Sequence, residues 1–289
     1  MHGYATRRWS SRDGLSLVAR DYAGADGSAR LPLICLHGLT RNARDFDNVA
    51  PRLAASGRRV IVPDVRGRGE SARDPDPAHY HPKIYARDVR EMMGALGVER
   101  AVFLGTSMGG IITMVLAALS PKKVAAAILN DAGPEIAREG IERIMGYVGR
   151  QVAIANWADA AEYCRHTNQV AMPDYGPADW DRLARSTFRE EDGRPVLDYD
   201  PRILAPLLGR PARGQALLAW LLFGRLARRR PVLLLRGGLS DVITGPIAEK
   251  MRRKAPGLVI AEIPGVGHAP TLDEPEALAA IDRFLDAAP

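Results

Sequence analysis

At 289 residues the chain is long enough for one large α/β domain, or for a core carrying a smaller insertion, and 46% hydrophobic residues allow a sizeable core and argue against global disorder. The net charge of +6 comes from arginines scattered along the chain. Only Arg225 to Arg230 forms a basic run, whereas a nucleic-acid binder concentrates its charge on one element, so no nucleic-acid partner is expected.

Cys35 lies in an apolar run and Cys164 in a helical pattern. Two such cysteines do not make a disulfide framework, and the expectation is a reduced, cytoplasmic protein. The opening "MHGYATRRWSSRDG" has no apolar signal-peptide core, and no run reaches the ~18 residues of a membrane span, so no membrane partner is expected.

Taken in chain order, strand-like and helix-like runs alternate. "LSLVARDY" from Leu15 reads as an early strand after the Asp13-Gly14 turn. "LPLICLHG", Leu31 to Gly38, is a continuous apolar run closed by glycine, as in a strand buried on both faces. "FDNVAPRLAAS" predicts a short helix, "RRVIVPDVRG" the next strand, and Tyr85 to Leu96 a helix with apolar residues at the 3.6 period. Then follow the strand "RAVFLGTS", the helix "MGGIITMVLAALS" stopped by Pro121, and the strand "KVAAAILND". Farther on come the strand "PVLLLRGG", a helix around Ile247 to Lys254, the strand "LVIAEIPG" and a final helix from Glu274 to Ala287. This alternation predicts a mostly parallel sheet covered by helices on both faces.

Residues 135–230 read differently: four or five helical segments separated by Pro and Gly, with no convincing strand. An insertion between strands of a parallel sheet lies over their C-terminal edge, where such sheets bind ligands. The expected organisation is a core of residues 1–134 and 231–289 with a helical cap at 135–230.

Gly105-Thr106-Ser107-Met108-Gly109 matches G-x-S-x-G. Chance would supply such a pentapeptide in roughly one chain in ten, so its setting between a strand and a helix carries the weight. A serine on a strained strand-to-helix turn needs small neighbours two residues away on either side, and the helix N-terminus offers N–H groups to a developing oxyanion. The hydroxyl also needs a base, and the base an orienting carboxylate. His268 in "IPGVGHAP" and Asp241 in "GGLSD" each follow a later predicted strand. The order Ser107, Asp241, His268 is that of the nucleophile-elbow hydrolases. Asp131 in "ILNDAGP" also ends a strand and is the rival acid.

On "LHGLTRN", "PDVRGRGES", "GTSMGG", "GGLSD" and "GVGH", the chain resembles α/β-hydrolase-fold enzymes along essentially its whole length. The resemblance implies an eight-stranded, mostly parallel sheet and a cofactor-free enzyme with Ser107 as nucleophile, His268 as general base and Asp241 as its acid. It also implies an oxyanion hole from the backbone N–H groups of Leu39 and Met108. Serine at the elbow argues against relatives with aspartate there, such as dehalogenases and epoxide hydrolases. The favoured reaction is hydrolysis of a small-molecule ester or lactone through an acyl-enzyme. Carbon–carbon hydrolases of ring-fission diketones, cofactor-free haloperoxidases, acyltransferases and a binding protein retaining the triad are the alternatives, and the oligomeric state is left open.

Arg41 either meets a substrate carboxylate or pairs with Asp45, and the pairing is preferred. "RGRGESA" imitates a dinucleotide fingerprint with Asp88 following, but Pro75, Pro77 and Pro82 block the helix it needs. His79 and His81 lack a third ligand nearby, so no metal site is expected. Ile144, Met145, Tyr147, Val148, Leu217, Leu218 and Leu221 are expected to form the cap's apolar face, and Trp157, Trp180 and Trp220 its core. The basic run at its end is expected to be solvated.

Overall fold

The computed structural model describes residues 3–25, 30–150, 152–207 and 212–289; residues 1–2 and 26–29 of the expected core, and 151 and 208–211 of the expected cap, lie outside the described residues. The strands are β1 (Ala5–Ser10), β2 (Ser16–Tyr22), β3 (Leu33–Leu36), β4 (Val60–Asp64), β5 (Ala101–Thr106), β6 (Val124–Asn130), β7 (Phe188–Glu191), β8 (Arg194–Leu197), β9 (Val232–Gly237) and β10 (Leu258–Ile263). The helices are α1 (Val49–Ala55), α2 (Pro82–Ala95), α3 (Met108–Leu119), α4 (Arg138–Tyr147), α5 (Trp157–Asn168), α6 (Pro177–Thr187), α7 (Ala212–Ala227), α8 (Gly245–Lys254) and α9 (Pro275–Ala287).

An eight-stranded sheet runs β1-β2-β4-β3-β5-β6-β9-β10. β2 pairs antiparallel with β1 and β4, and every other neighbouring pair is parallel. The apolar runs of β3, β4, β6 and β9 are buried throughout, because helices cover both faces. One apolar cluster packs α2, α3 and α8 against one face, and a second packs α1 and α9 against the other.

β3 lies between β4 and β5, so the chain winds first to one side and then to the other. That reversal leaves a crevice beyond the C-terminal ends of β3 and β5. Parallel register sets Leu36 beside Gly105 and Thr106 beside Asn130. The turns at Gly38, Ser107 and Asp131 therefore leave the sheet side by side.

β1 escaped the sequence reading because its arginines leave it mostly exposed, without an apolar alternation. The segment between β6 and β9 holds α4 to α7, with a small core of Ala160, Cys164, Ala171, Met172, Trp180, Ala184 and Phe188. It also holds the antiparallel β7–β8 hairpin, which corrects the expectation of a strand-free insertion. Asp192 and Gly193 turn it with φ of 51° and 74°, the left-handed pair that an Asp-Gly hairpin turn requires. Trp180 is in this core; Trp220 is half-buried against Phe223 and donates to Glu135, while Arg185 stacks on Trp157. Arg225, Arg228 and Arg229 are exposed, but Arg230 donates to the carbonyls of Pro121 and Val124. Among the described residues no helix is long and apolar enough to cross a membrane.

Candidate active site

Ser107 joins β5 to α3 with φ 49° and ψ −110°, a strained conformation for a residue with a side chain. The turn is tight enough to demand its glycines. A Cβ on Gly109 would stand 2.1 Å from the Leu36 carbonyl oxygen, and one on Gly105 would stand 2.4 Å from the carbonyl carbon of Gly109. The Ser107 N–H donates to the Asn130 carbonyl at 3.0 Å, tying the turn to the end of β6.

His268 follows β10 and reaches back over the sheet edge. Its Nε2 is 3.0 Å from Ser107 Oγ and its Nδ1 is 2.7 Å from Asp131 Oδ2. A carboxylate facing Nδ1 selects the tautomer protonated there, which leaves the Nε2 lone pair for the serine hydroxyl. Asp131 is fully buried. Ser240 Oγ donates to Oδ2 at 2.6 Å and the Gly237 N–H to Oδ1 at 3.0 Å, so both its oxygens are engaged.

The expected acid, Asp241, is elsewhere, and this is a correction. Arg143 of α4 holds it by two hydrogen bonds, Nε to Oδ2 at 2.6 Å and Nη2 to Oδ1 at 2.8 Å. The cause is the docking of α4. Gly140 rests against the Asp241 backbone, the Ala137 N–H donates to the Val242 carbonyl, and Arg143 follows one turn later. Burial alone would raise the Asp241 carboxyl, but the Arg143 hydrogen bonds outweigh it and hold it below the ordinary carboxylate range. Asp131 needs no such reach, because it directly ends the strand beside β5.

His37 is a residue whose role the sequence reading missed. It is buried, its Nε2 accepts the Val65 N–H at 3.0 Å, and its Nδ1 lies 2.8 Å from the Gly38 carbonyl oxygen. Burial pushes its pKa down to about 4, so the ring is neutral and donates from Nδ1. The Gly38 carbonyl and the Leu39 N–H share one trans peptide and point in opposite directions. Holding the carbonyl therefore aims the N–H. Among the described residues, neither the Leu39 nor the Met108 N–H has a hydrogen-bond partner, and both residues line the cavity beside Ser107.

Arg41 takes the Asp45 alternative. Nε is 2.9 Å from Asp45 Oδ1, and the remaining groups hold Ser186 Oγ at 2.8 Å and Thr187. It fastens the insertion to the core and is not a free cation for a substrate. Asp13, Asp74 and His79 come within 4.8 Å of one another, a cluster that spacing did not reveal. Arg66 already bonds both carboxylates, and Arg87 also bonds Asp13. Arg66 likewise holds Asp88, and α2 begins at Pro82 itself. His81 caps that helix by accepting the Lys83 N–H.

A cavity of about 1170 Å³ lies over Ser107 and His268, under the insertion. Ile144, Met145, Tyr147 and Val148 line it as expected, but from α7 the lining residues are Ala216, Ala219 and Leu222. Leu217, Leu218 and Leu221 are 68%, 49% and 57% exposed, which corrects the expectation that they form the cap's apolar face. α7 packs on α3, so its inward face carries Phe223 and Leu226 and turns those three leucines outward.

A strained serine under a ring-bridged carboxylate, at the switch point of a doubly covered sheet, defines a hydrolase architecture. A family model for the alpha/beta hydrolase fold matches residues 32–275, and the chain belongs to that family. It is a hydrolase of this fold. Over 283 residues it is 34% identical to a 3-hydroxybutyrate-oligomer hydrolase of Cupriavidus necator, covering 95% of this chain and 94% of that one. A crystal structure of an alpha/beta hydrolase from Novosphingobium aromaticivorans is 43% identical, with a TM-score of 0.90 over 99% of both chains. A 2-(acetamidomethylene)succinate hydrolase of Mesorhizobium japonicum is 28% identical over 262 residues, 90% of each chain.

Proposed function

We propose that the protein is a serine hydrolase of carboxylic esters, with Ser107 as nucleophile, His268 as general base and Asp131 as the orienting acid. The hydrogen-bonded chain from Ser107 Oγ through both His268 nitrogens to Asp131 carries this reading. His268 accepts the serine proton as Oγ attacks the ester carbonyl. The tetrahedral oxyanion is held by the Leu39 and Met108 N–H groups and the N-terminal end of α3. His268 then gives the proton to the departing alcohol, and a water activated by the same ring releases the acid from Ser107.

The substrate class we favour is a short ester chain of a hydroxy acid. The similarity to the 3-hydroxybutyrate-oligomer hydrolase supports it, as does a cavity above the ~300–1,000 Å³ usual for a single small ligand. In this reading residues 135–230 act as a cap whose α4 and α7 form the apolar wall. Cys35 and Cys164, both buried and free, suit a reducing, cytoplasmic setting. The test is pre-steady-state hydrolysis of p-nitrophenyl butyrate, followed by product analysis on 3-hydroxybutyrate dimers and trimers. A burst of one p-nitrophenol per chain, lost in Ser107→Ala, is expected. Turnover that survives Ser107→Ala refutes the serine mechanism, and turnover of p-nitrophenyl esters with intact oligomers refutes the substrate class.

A further inference from the structure

Arg68, in the loop after β4, has no part in the mechanism above. It is 1% exposed, and among the described residues no carboxylate pairs with it. Arg66, two residues earlier, is by contrast surrounded by Asp13, Asp74 and Asp88. Arg68 Nε donates to the Leu39 carbonyl at 3.0 Å, and Nη1 to the Arg66 carbonyl at 2.8 Å and the Tyr85 hydroxyl at 2.9 Å. Nη2 lies 3.6 Å from Met108 Sδ. The Tyr80 and Tyr85 rings flank the guanidinium at 5.6 and 5.0 Å.

One buried cation thus touches both cavity-lining residues beside Ser107 whose N–H groups have no partner among the described residues. Its own backbone is bridged to Tyr199 of the insertion. Burying a charge without a counter-ion is costly, and a turn that needed only hydrogen bonds could be held by a neutral amide. We propose that Arg68 is the positioning residue of the oxyanion hole. It holds the Leu39 turn and the first residue of α3 in place, and its charge is compensated only when negative charge develops on the substrate oxygen. This inference rests on the Ser107 reading.

The test uses Arg68→Gln and Arg68→Lys in the full chain. Stoichiometric labelling of wild-type Ser107 by a fluorophosphonate comes first; failure there overturns the Ser107 reading, and this inference with it. With labelling intact, Arg68→Gln is expected to lower kcat for p-nitrophenyl butyrate roughly tenfold to a hundredfold at a nearly unchanged KM. It should weaken a trifluoromethyl ketone, which forms an oxyanion on Ser107, by the same factor. Butyramide, a neutral analogue of the product, should change less than threefold. Arg68→Lys keeps the charge and should retain most of the ketone's preference over butyramide, which keeps the test valid should the Gln variant not fold. Wild-type kcat in Arg68→Gln, or equal weakening of both inhibitors in either variant, overturns the proposal.

Discussion

Asp131→Asn is the substitution that separates the two candidate acids. Asp131 Oδ2 takes hydrogen bonds from His268 and Ser240, and Oδ1 takes one from the Gly237 N–H. Asparagine offers one acceptor where three donors converge. With its oxygen toward His268, its NH2 faces the Gly237 N–H, donor against donor, inside a fully buried site. With its oxygen toward Gly237, its NH2 faces His268 Nδ1 and selects the tautomer protonated at Nε2, which cannot accept the serine proton. The first arrangement forfeits a buried hydrogen bond, about 1–3 kcal/mol. The second removes the base; the scale for that change in a Ser-His-Asp triad is about four orders of magnitude in kcat, or about 5 kcal/mol. We expect kcat to fall by about 10⁴ in Asp131→Asn, with burst kinetics on p-nitrophenyl butyrate as the assay. Asp241→Asn breaks its half-buried pair with Arg143 and should cost about 1–2 kcal/mol of stability in urea unfolding, with kcat within tenfold of wild type. The reverse order, with Asp241→Asn the inactive variant, refutes the assignment of Asp131.

Two further outcomes follow from the same geometry. Gly109→Ala should cost about 3 kcal/mol or more and abolish turnover, because its Cβ would stand 2.1 Å from a strand carbonyl that cannot swing away; wild-type denaturant stability would refute the close approach. His37, depressed from 6.5 to about 4, contributes stability fully present above about pH 6.5 and lost as pH falls toward 4, on the order of 3 kcal/mol in all. Asp64, raised by burial to about 6, works in the opposite sense, losing its contribution as pH rises through that value. The ring is therefore best read directly: its imidazole nitrogen shifts should remain those of the neutral form at pH 5.5, and half-titration near pH 6.5 would refute the burial argument.

The strands β3 to β6, β9 and β10 were legible because each is an apolar run bounded by turn residues, and their alternation with helices implied the parallel sheet. Ser107 was legible from its glycines, whose necessity the close approaches of Gly105 and Gly109 explain. β1 was not, because its arginines carry no apolar period. The β7–β8 hairpin had a readable signal in Asp192-Gly193, overlooked because the flanking strands are short and polar.

Choosing between Asp131 and Asp241 lay beyond chain order, since both follow strands and both precede His268. The amino-acid sequence by itself determined that a serine and a histidine would stand at the C-terminal edge of a doubly covered sheet, because local steric and apolar patterns decide where strands end and turns tighten. Which carboxylate meets the histidine was decided by strand register and by the docking of α4. Register sets β6 beside β5 and so brings Asp131 to His268, while Arg143 binds Asp241 across 98 residues of chain. Contacts of that range depend on how separate elements pack, which no local pattern encodes.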